Sequence, residues 1–105
     1  MSEAKQYDSF ENFYPFYLAE HSNVTCRRLH FVGSTLVLLL LAYSVTTASW
    51  GYLLLLPVVG YGFAWVGHFF FEKNKPATFS YPLWSFVGDF RMWFAMCLGK
   101  YLQLL

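Results

Sequence analysis

The chain has 105 residues and a formal charge of only +1, with 57% of its residues apolar, 23% aromatic and 12% charged, about half the charged share usual in a soluble domain. A soluble domain of this length buries only roughly 60 to 70% of its unfolded surface, so an apolar excess on this scale is expected to face lipid. Low charge with abundant Phe, Tyr and Leu excludes intrinsic disorder, and seven basic residues against six acidic ones give no basis for binding nucleic acid.

A single integral-membrane domain over residues 1–105 is expected, all-α and built as a small multi-pass helical bundle. Its first twenty residues set Glu3, Asp8, Glu11 and Glu20 against Lys5, the wrong charge balance for a secretory leader, so this segment is expected to stay. Phe10, Phe13, Tyr14, Tyr17 and Leu18 recur at three- and four-residue spacing behind the candidate caps Asp8 and Ser9. That pattern predicts an amphipathic helix lying on the cytoplasmic face, with Pro15 as the place for a kink.

From Leu29 to Thr47 there are nineteen uncharged residues, roughly 28 Å of helix, and from Trp50 to Phe71 twenty-two more, roughly 33 Å. Ala48 and Ser49 interrupt them, which predicts a transmembrane hairpin. Arg27 and Arg28 precede the hairpin and Lys73 and Lys75 follow it, so the positive-inside rule puts both ends in the cytoplasm. A third hydrophobic helix is expected over 82–105, either crossing with Asp89 and Arg91 turned toward protein, which is favoured, or lying partly in the interface; two residues apart, these two do not share a helical face. An integral-membrane location is expected, and a homo-oligomer is compatible with this topology. Trp50, Trp65, Trp84 and Trp93 read as interfacial anchors and packing groups. Cys26 and Cys97 form no CxxC pair and read as reduced thiols, and the sequon at Asn23-Val24-Thr25 falls on the cytoplasmic side, where it is not used.

The chemistry lies in the histidines. With Ser49 as the centre of the turn, His30 is nineteen residues before it and His68 nineteen after, which sets both imidazoles at one depth. Gly60, Ala64, His68 and Glu72 follow at intervals of four, a stripe whose small residues invite helix contact and turn His68 and Glu72 into the bundle. Gly33 and Ser34 do the same beside His30. His21 is nine residues from His30 and opposite it on a continuous helix, but Ser22, Asn23 and Thr25 are helix-start residues, and a break there lets His21 fold back over the site. Two histidines and a carboxylate with open positions are the usual holder of oxygen-activating non-haem iron. The alternative is that three interfacial histidines bond to carbonyls or head groups. The four basic residues fit a carboxylate or phosphate at the mouth, and equally are what topology alone requires.

The wording of the chain adds to its periodicity. Tyr17-Leu18-Ala19-Glu20-His21, Arg28-Leu29-His30-Phe31-Val32-Gly33 and the run from Gly67-His68 through Glu72-Lys73-Asn74-Lys75-Pro76-Ala77 to Phe79 closely resemble the fungal 2-hydroxy fatty acid dioxygenase-like family, over about residues 13 to 95. The resemblance implies an iron(II)-dependent membrane oxygenase that uses dioxygen to shorten a 2-hydroxy fatty acid by one carbon, as in phytosphingosine breakdown. It implies His21, His30 and His68 as metal ligands, Glu72 as a fourth ligand or hydrogen-bond partner, and Asp89 as a group supporting a histidine. Arg27, Arg28, Lys73 and Lys75 then help hold the acidic head group. Two other functions compete: a structural or partner-binding membrane protein, and a haem electron carrier with His30 and His68 as axial ligands.

Overall fold

The computed structural model describes residues 7–100; residues 1–6, with Glu3 and Lys5, and 101–105, the end of the third apolar stretch, lie outside the described residues. The first helix, α1, spans Phe10–Ala19. Its cap is Ser9, whose side chain accepts the Asn12 backbone N–H at 3.2 Å, while Asp8 takes the Asn12 side-chain amide at 3.0 Å. Phe13, Tyr14 and Tyr17 are buried on one face. Pro15 lies inside this helix.

The chain then breaks where helix-start residues stand. Asn23 is extended and its side chain accepts the Cys26 N–H at 3.1 Å, which starts α2 at Val24 and carries it to Thr46, 23 residues or roughly 34 Å. Ala48, in the left-handed region at φ 53°, turns the chain at the expected break. The return is one 23-residue helical stretch, Trp50–Glu72, in three geometries: a 3₁₀ turn over Trp50–Leu55, then α3 over Leu56–Val66, then a π-helical turn over Gly67–Glu72. Lys73, left-handed at φ 61°, ends it.

Both long helices have the length and apolar character to cross a membrane, and little of either is buried inside the protein. Leu39, Leu54, Val58 and Phe70 are among the large side chains left exposed on them. The two helices touch closely where a side chain is missing. A Cβ on Gly33 would stand 2.8 Å from the Phe63 Cβ, and one on Gly67 would stand 2.9 Å from the Cys26 sulfur and 3.2 Å from its Cα.

The last helix, α4, spans Pro82–Cys97 after a 3₁₀ turn at Ala77–Phe79. At 16 described residues, α4 is shorter than the roughly 20 that a crossing needs, and a third spanning helix is not shown among the described residues. It packs on α1. Phe13, Tyr14 and Tyr17 of α1 form the core with Ala77, Met92 and Met96, and the rings of Tyr81 and Trp84 close on Phe13 at 5.1 and 5.7 Å. Such ring pairs contribute about 0.5–1.5 kcal/mol each beyond burial. Arg91 faces the outer side of α1, over the Tyr14 ring at 4.4 Å and 3.8 Å from Glu11, while Trp93 ties α4 to α2 by donating to Thr35 Oγ1 at 2.8 Å. Among the described residues there is no strand.

Candidate metal centre

Three separate pieces of backbone deliver the histidines. His21 stands in the break between α1 and α2, His30 on the second turn of α2, and His68 in the π-helical turn. All three are buried, at 1%, 5% and 1% exposure. Their ring centroids lie 4.4, 4.4 and 4.9 Å apart, and the rings meet edge to face.

The hydrogen bonds at the far side of each ring determine which nitrogen is available. The Nδ1–H of His21 donates to the Tyr17 carbonyl at 2.6 Å, that of His30 to the Cys26 carbonyl at 2.9 Å, and that of His68 to Asn74 Oδ1 at 2.7 Å. Each oxygen can only accept, or in the case of Asn74 is oriented to accept, so each neutral ring carries its proton on Nδ1 and a lone pair on Nε2. Those Nε2 atoms converge: His21 is 3.1 Å from His30 and 2.9 Å from His68. Three lone pairs aimed into one small space repel unless a cation sits among them. Nitrogens about 2.1 Å from one ion and at right angles to each other are about 3.0 Å apart, whereas a tetrahedral angle spreads them to about 3.4 Å. The separations of 3.1 and 2.9 Å from His21 suit nitrogens that would share one metal ion, with His21, His30 and His68 as its holders.

Asn74 is oriented in turn. Its amide donates to the Glu20 backbone carbonyl at 3.1 Å and to Glu20 Oε1 at 3.2 Å, which directs its own oxygen at His68. Burial, and then the nearby Glu72, raise the Glu20 carboxyl above its ordinary value. Burial, reinforced by His30 and His68, holds His21 well below the ordinary imidazole value, so it stays neutral and ready to ligate. Asn74→Ala is expected to lower metal affinity roughly 10–100-fold, the usual cost of removing a hydrogen bond that orients a ligand. Competitive metal titration checks this.

Residues 7–101 match a sequence family described as 2-hydroxy-palmitic acid dioxygenase Mpo1-like. The chain belongs to this family. No curated protein and no solved structure matches it.

In this Mpo1-like chain the other residues singled out from sequence divide clearly. Glu72 is drawn to the start of α2, where its carboxylate accepts from the Asn23 backbone N–H and, at 3.4 Å, from the Ser22 hydroxyl; the histidine group does not include it. Asp89 reaches the site beside Tyr17, whose hydroxyl donates to its carboxylate, and Tyr17 in turn stacks on His21 with centroids 4.1 Å apart. Arg27 donates from Nε to the His21 carbonyl at 2.6 Å, while Arg28, Lys73 and Lys75 are exposed. The two cavities beside the histidines are lined by none of these four. Tyr17, Asn74 and Ser85 belong to the site without standing out in the sequence as site residues, and only Tyr17 leaves a signal there, four residues before His21 and so on the same helical face.

Burial pushes the Asp89 carboxyl up to about 7 from 3.8, against the Tyr17 hydroxyl, which favours the charged form. Between those values the folded chain holds a proton that the unfolded chain has released, so this group loses stability as pH rises through about 7. Asp89→Asn keeps an oxygen for Tyr17 and removes the titration. Thermal unfolding should find the variant and the wild type alike near pH 3.8, with the variant's advantage growing up to about 7 and constant above it.

Proposed function

We propose that the protein is an integral-membrane, multi-pass, iron(II)-dependent dioxygenase that shortens 2-hydroxy fatty acids by one carbon. The observation that carries this reading is the convergence of three buried Nε2 atoms, with that of His21 3.1 Å from His30 and 2.9 Å from His68, in a chain of the Mpo1-like family. His21, His30 and His68 hold the ion. Bound there, iron(II) supplies dioxygen activation and Lewis-acid binding of the hydroxyl and carboxylate of the substrate.

The protein does the rest by placement. Tyr17, Cys26 and Asn74 hold the imidazole protons on Nδ1 and aim the Nε2 atoms inward through their acceptor oxygens. Tyr17 stacks on His21 and shields that side of the site from water. The Asp89 carboxyl, held near neutrality in its proton balance, stands at the reacting end and can hold or release a proton at its Oδ atoms. The overall balance closes without a further reductant: the acid and one dioxygen give the shortened acid, carbon dioxide and water. The two long helices cross the bilayer, so the acid can reach the site from lipid, and Arg27, Arg28, Lys73 and Lys75 mark the cytoplasmic end, where they attract the acidic head group.

The haem reading fails on space. His30 and His68 have ring centroids 4.9 Å apart with His21 against both, which leaves no gap for a macrocycle between them. The test is direct: protein purified in detergent, loaded with iron(II) and supplied with 2-hydroxypalmitate and oxygen, should yield an acid one carbon shorter by mass spectrometry. Metal-loaded, folded protein that leaves the substrate intact overturns the proposal.

A further inference from the structure

The histidine site opens into a second, larger space. A cavity of about 470 Å³ lies between α2, α3 and α4, within the roughly 300–1,000 Å³ typical of small-molecule sites. His30 and Asp89 line both this cavity and the small compartment among the histidines, so the two spaces adjoin.

The larger cavity is polar at one end and apolar at the other. Near the histidines its walls carry Asp89, Thr78 and Ser34; away from them it is walled by Val37, Leu38 and Leu41 on α2 and by Leu56 and Pro57 on the facing stretch. The two helices are antiparallel, so Leu41 and Leu56 meet at the same end, the one next to the hairpin turn. From His30 to Leu41 is eleven residues, about 16 Å of helix. A carbon chain advances about 3.8 Å per three bonds, as the backbone does between successive Cα atoms, so the cavity has the length of about 13 carbons.

A second observation marks the polar end. The Ser85 hydroxyl is buried, at 3% exposure, lines the histidine compartment and has no hydrogen-bond partner. Buried hydroxyls are almost always satisfied. Ser85 and Asp89 are four residues apart on α4 and so present one face to the site.

We propose that this cavity holds the unbranched alkyl chain of the acid that reacts at the histidines, with Ser85 donating a hydrogen bond to its head group and Leu41 and Leu56 closing the far end. The chain length accepted by the enzyme is then measured by the distance from His30 to these two leucines. The identity of the head group rests on the dioxygenase reading; the binding of a single alkyl chain of limited length does not.

The experiment measures binding and turnover separately. Iron-loaded wild type, Leu41→Ala, Leu56→Ala, Gly60→Val and Ser85→Ala are titrated in detergent with 2-hydroxy acids of graded chain length, and the same series is assayed for product. Leu41→Ala and Leu56→Ala should move the preferred length upward, with affinity rising about fourfold for each methylene newly accommodated, the equivalent of ~0.8 kcal/mol. Gly60→Val narrows the cavity opposite Val37, where a Cβ would already stand 3.4 Å from Cγ2, and should move the preference downward. Ser85→Ala should weaken every length alike, about tenfold, and leave the optimum in place. An unchanged length profile in both leucine variants overturns the proposal, as does phospholipid competing equally with acids of every length. Length-selective binding without turnover by any of the proteins would overturn the dioxygenase reading and leave the cavity assignment standing.

Discussion

Replacing any one of His21, His30 or His68 by alanine should strip the protein of metal and of activity together. Each Nε2 is one of three donors, and among the described residues the group holds no fourth candidate ligand. The loss in affinity should exceed the roughly 10–100-fold expected for Asn74→Ala, because a ligand is removed rather than the hydrogen bond that orients it. The variants should remain helical: the aromatic core of Phe13, Tyr14, Tyr17, Met92 and Met96 does not depend on the ion. Metal content by elemental analysis, with circular dichroism as the control for folding, measures both. A variant that retains full metal stoichiometry removes that histidine from the ligand set.

The second large effect should come from a residue with no side chain. Gly67→Val puts atoms where the Cys26 sulfur and backbone stand, at 2.9 and 3.2 Å from the first added carbon. Neither helix can yield without moving a ligand. Cys26 supplies the carbonyl that orients His30, and His68 follows Gly67 directly. Overpacking of this kind costs roughly 1–3 kcal/mol, and here the strain falls on the metal site as well as on the hairpin. Thermal unfolding should show the destabilisation and metal titration a parallel loss. Cys26→Ala removes the sulfur but leaves the backbone of α2 in the way, so the double variant Gly67→Val with Cys26→Ala should recover only part of both, a coupling that a double-mutant cycle quantifies. A Gly67→Val protein with wild-type stability and metal content would show that the helices have slack at this crossing.

Much of the architecture was legible in the sequence because it follows from local rules. Two uncharged runs separated by Ala48 and Ser49 have one stable arrangement, since apolar helices of that length bury their backbone polar groups internally and leave their side chains to lipid. The equal spacing of His30 and His68 about the turn carried through to rings 4.9 Å apart, although the return stretch passes through 3₁₀, α and π geometry. His21 joined them because Asn23 caps α2 and breaks the helix that would have pointed it away.

The third apolar stretch is less legible because hydropathy counts residues and not partners. In α4 Met92 and Met96 pack into the core with α1, Leu83, Phe86 and Phe94 stay exposed, and Asp89 and Arg91 fall on faces that meet Tyr17 and the α1 surface. The i, i+4 stripe that turns Glu72 toward the histidines assumes 3.6 residues per turn. The chain widens to a π-helical turn from Gly67 onward, which changes the angle between successive side chains and sends the carboxylate to the start of α2.

Composition, run length and the recurrence of small residues determined that this is an all-helical chain with a long apolar hairpin and histidines at one depth, because each depends only on neighbours a few positions away. Which nitrogen each histidine presents, which side chains orient it, and how far the adjoining cavity reaches were decided by contacts between residues as distant as Glu20 and Asn74 or Tyr17 and Asp89. Hydrogen-bond direction and packing distance are properties of pairs, and these pairs exist only once the helices are assembled.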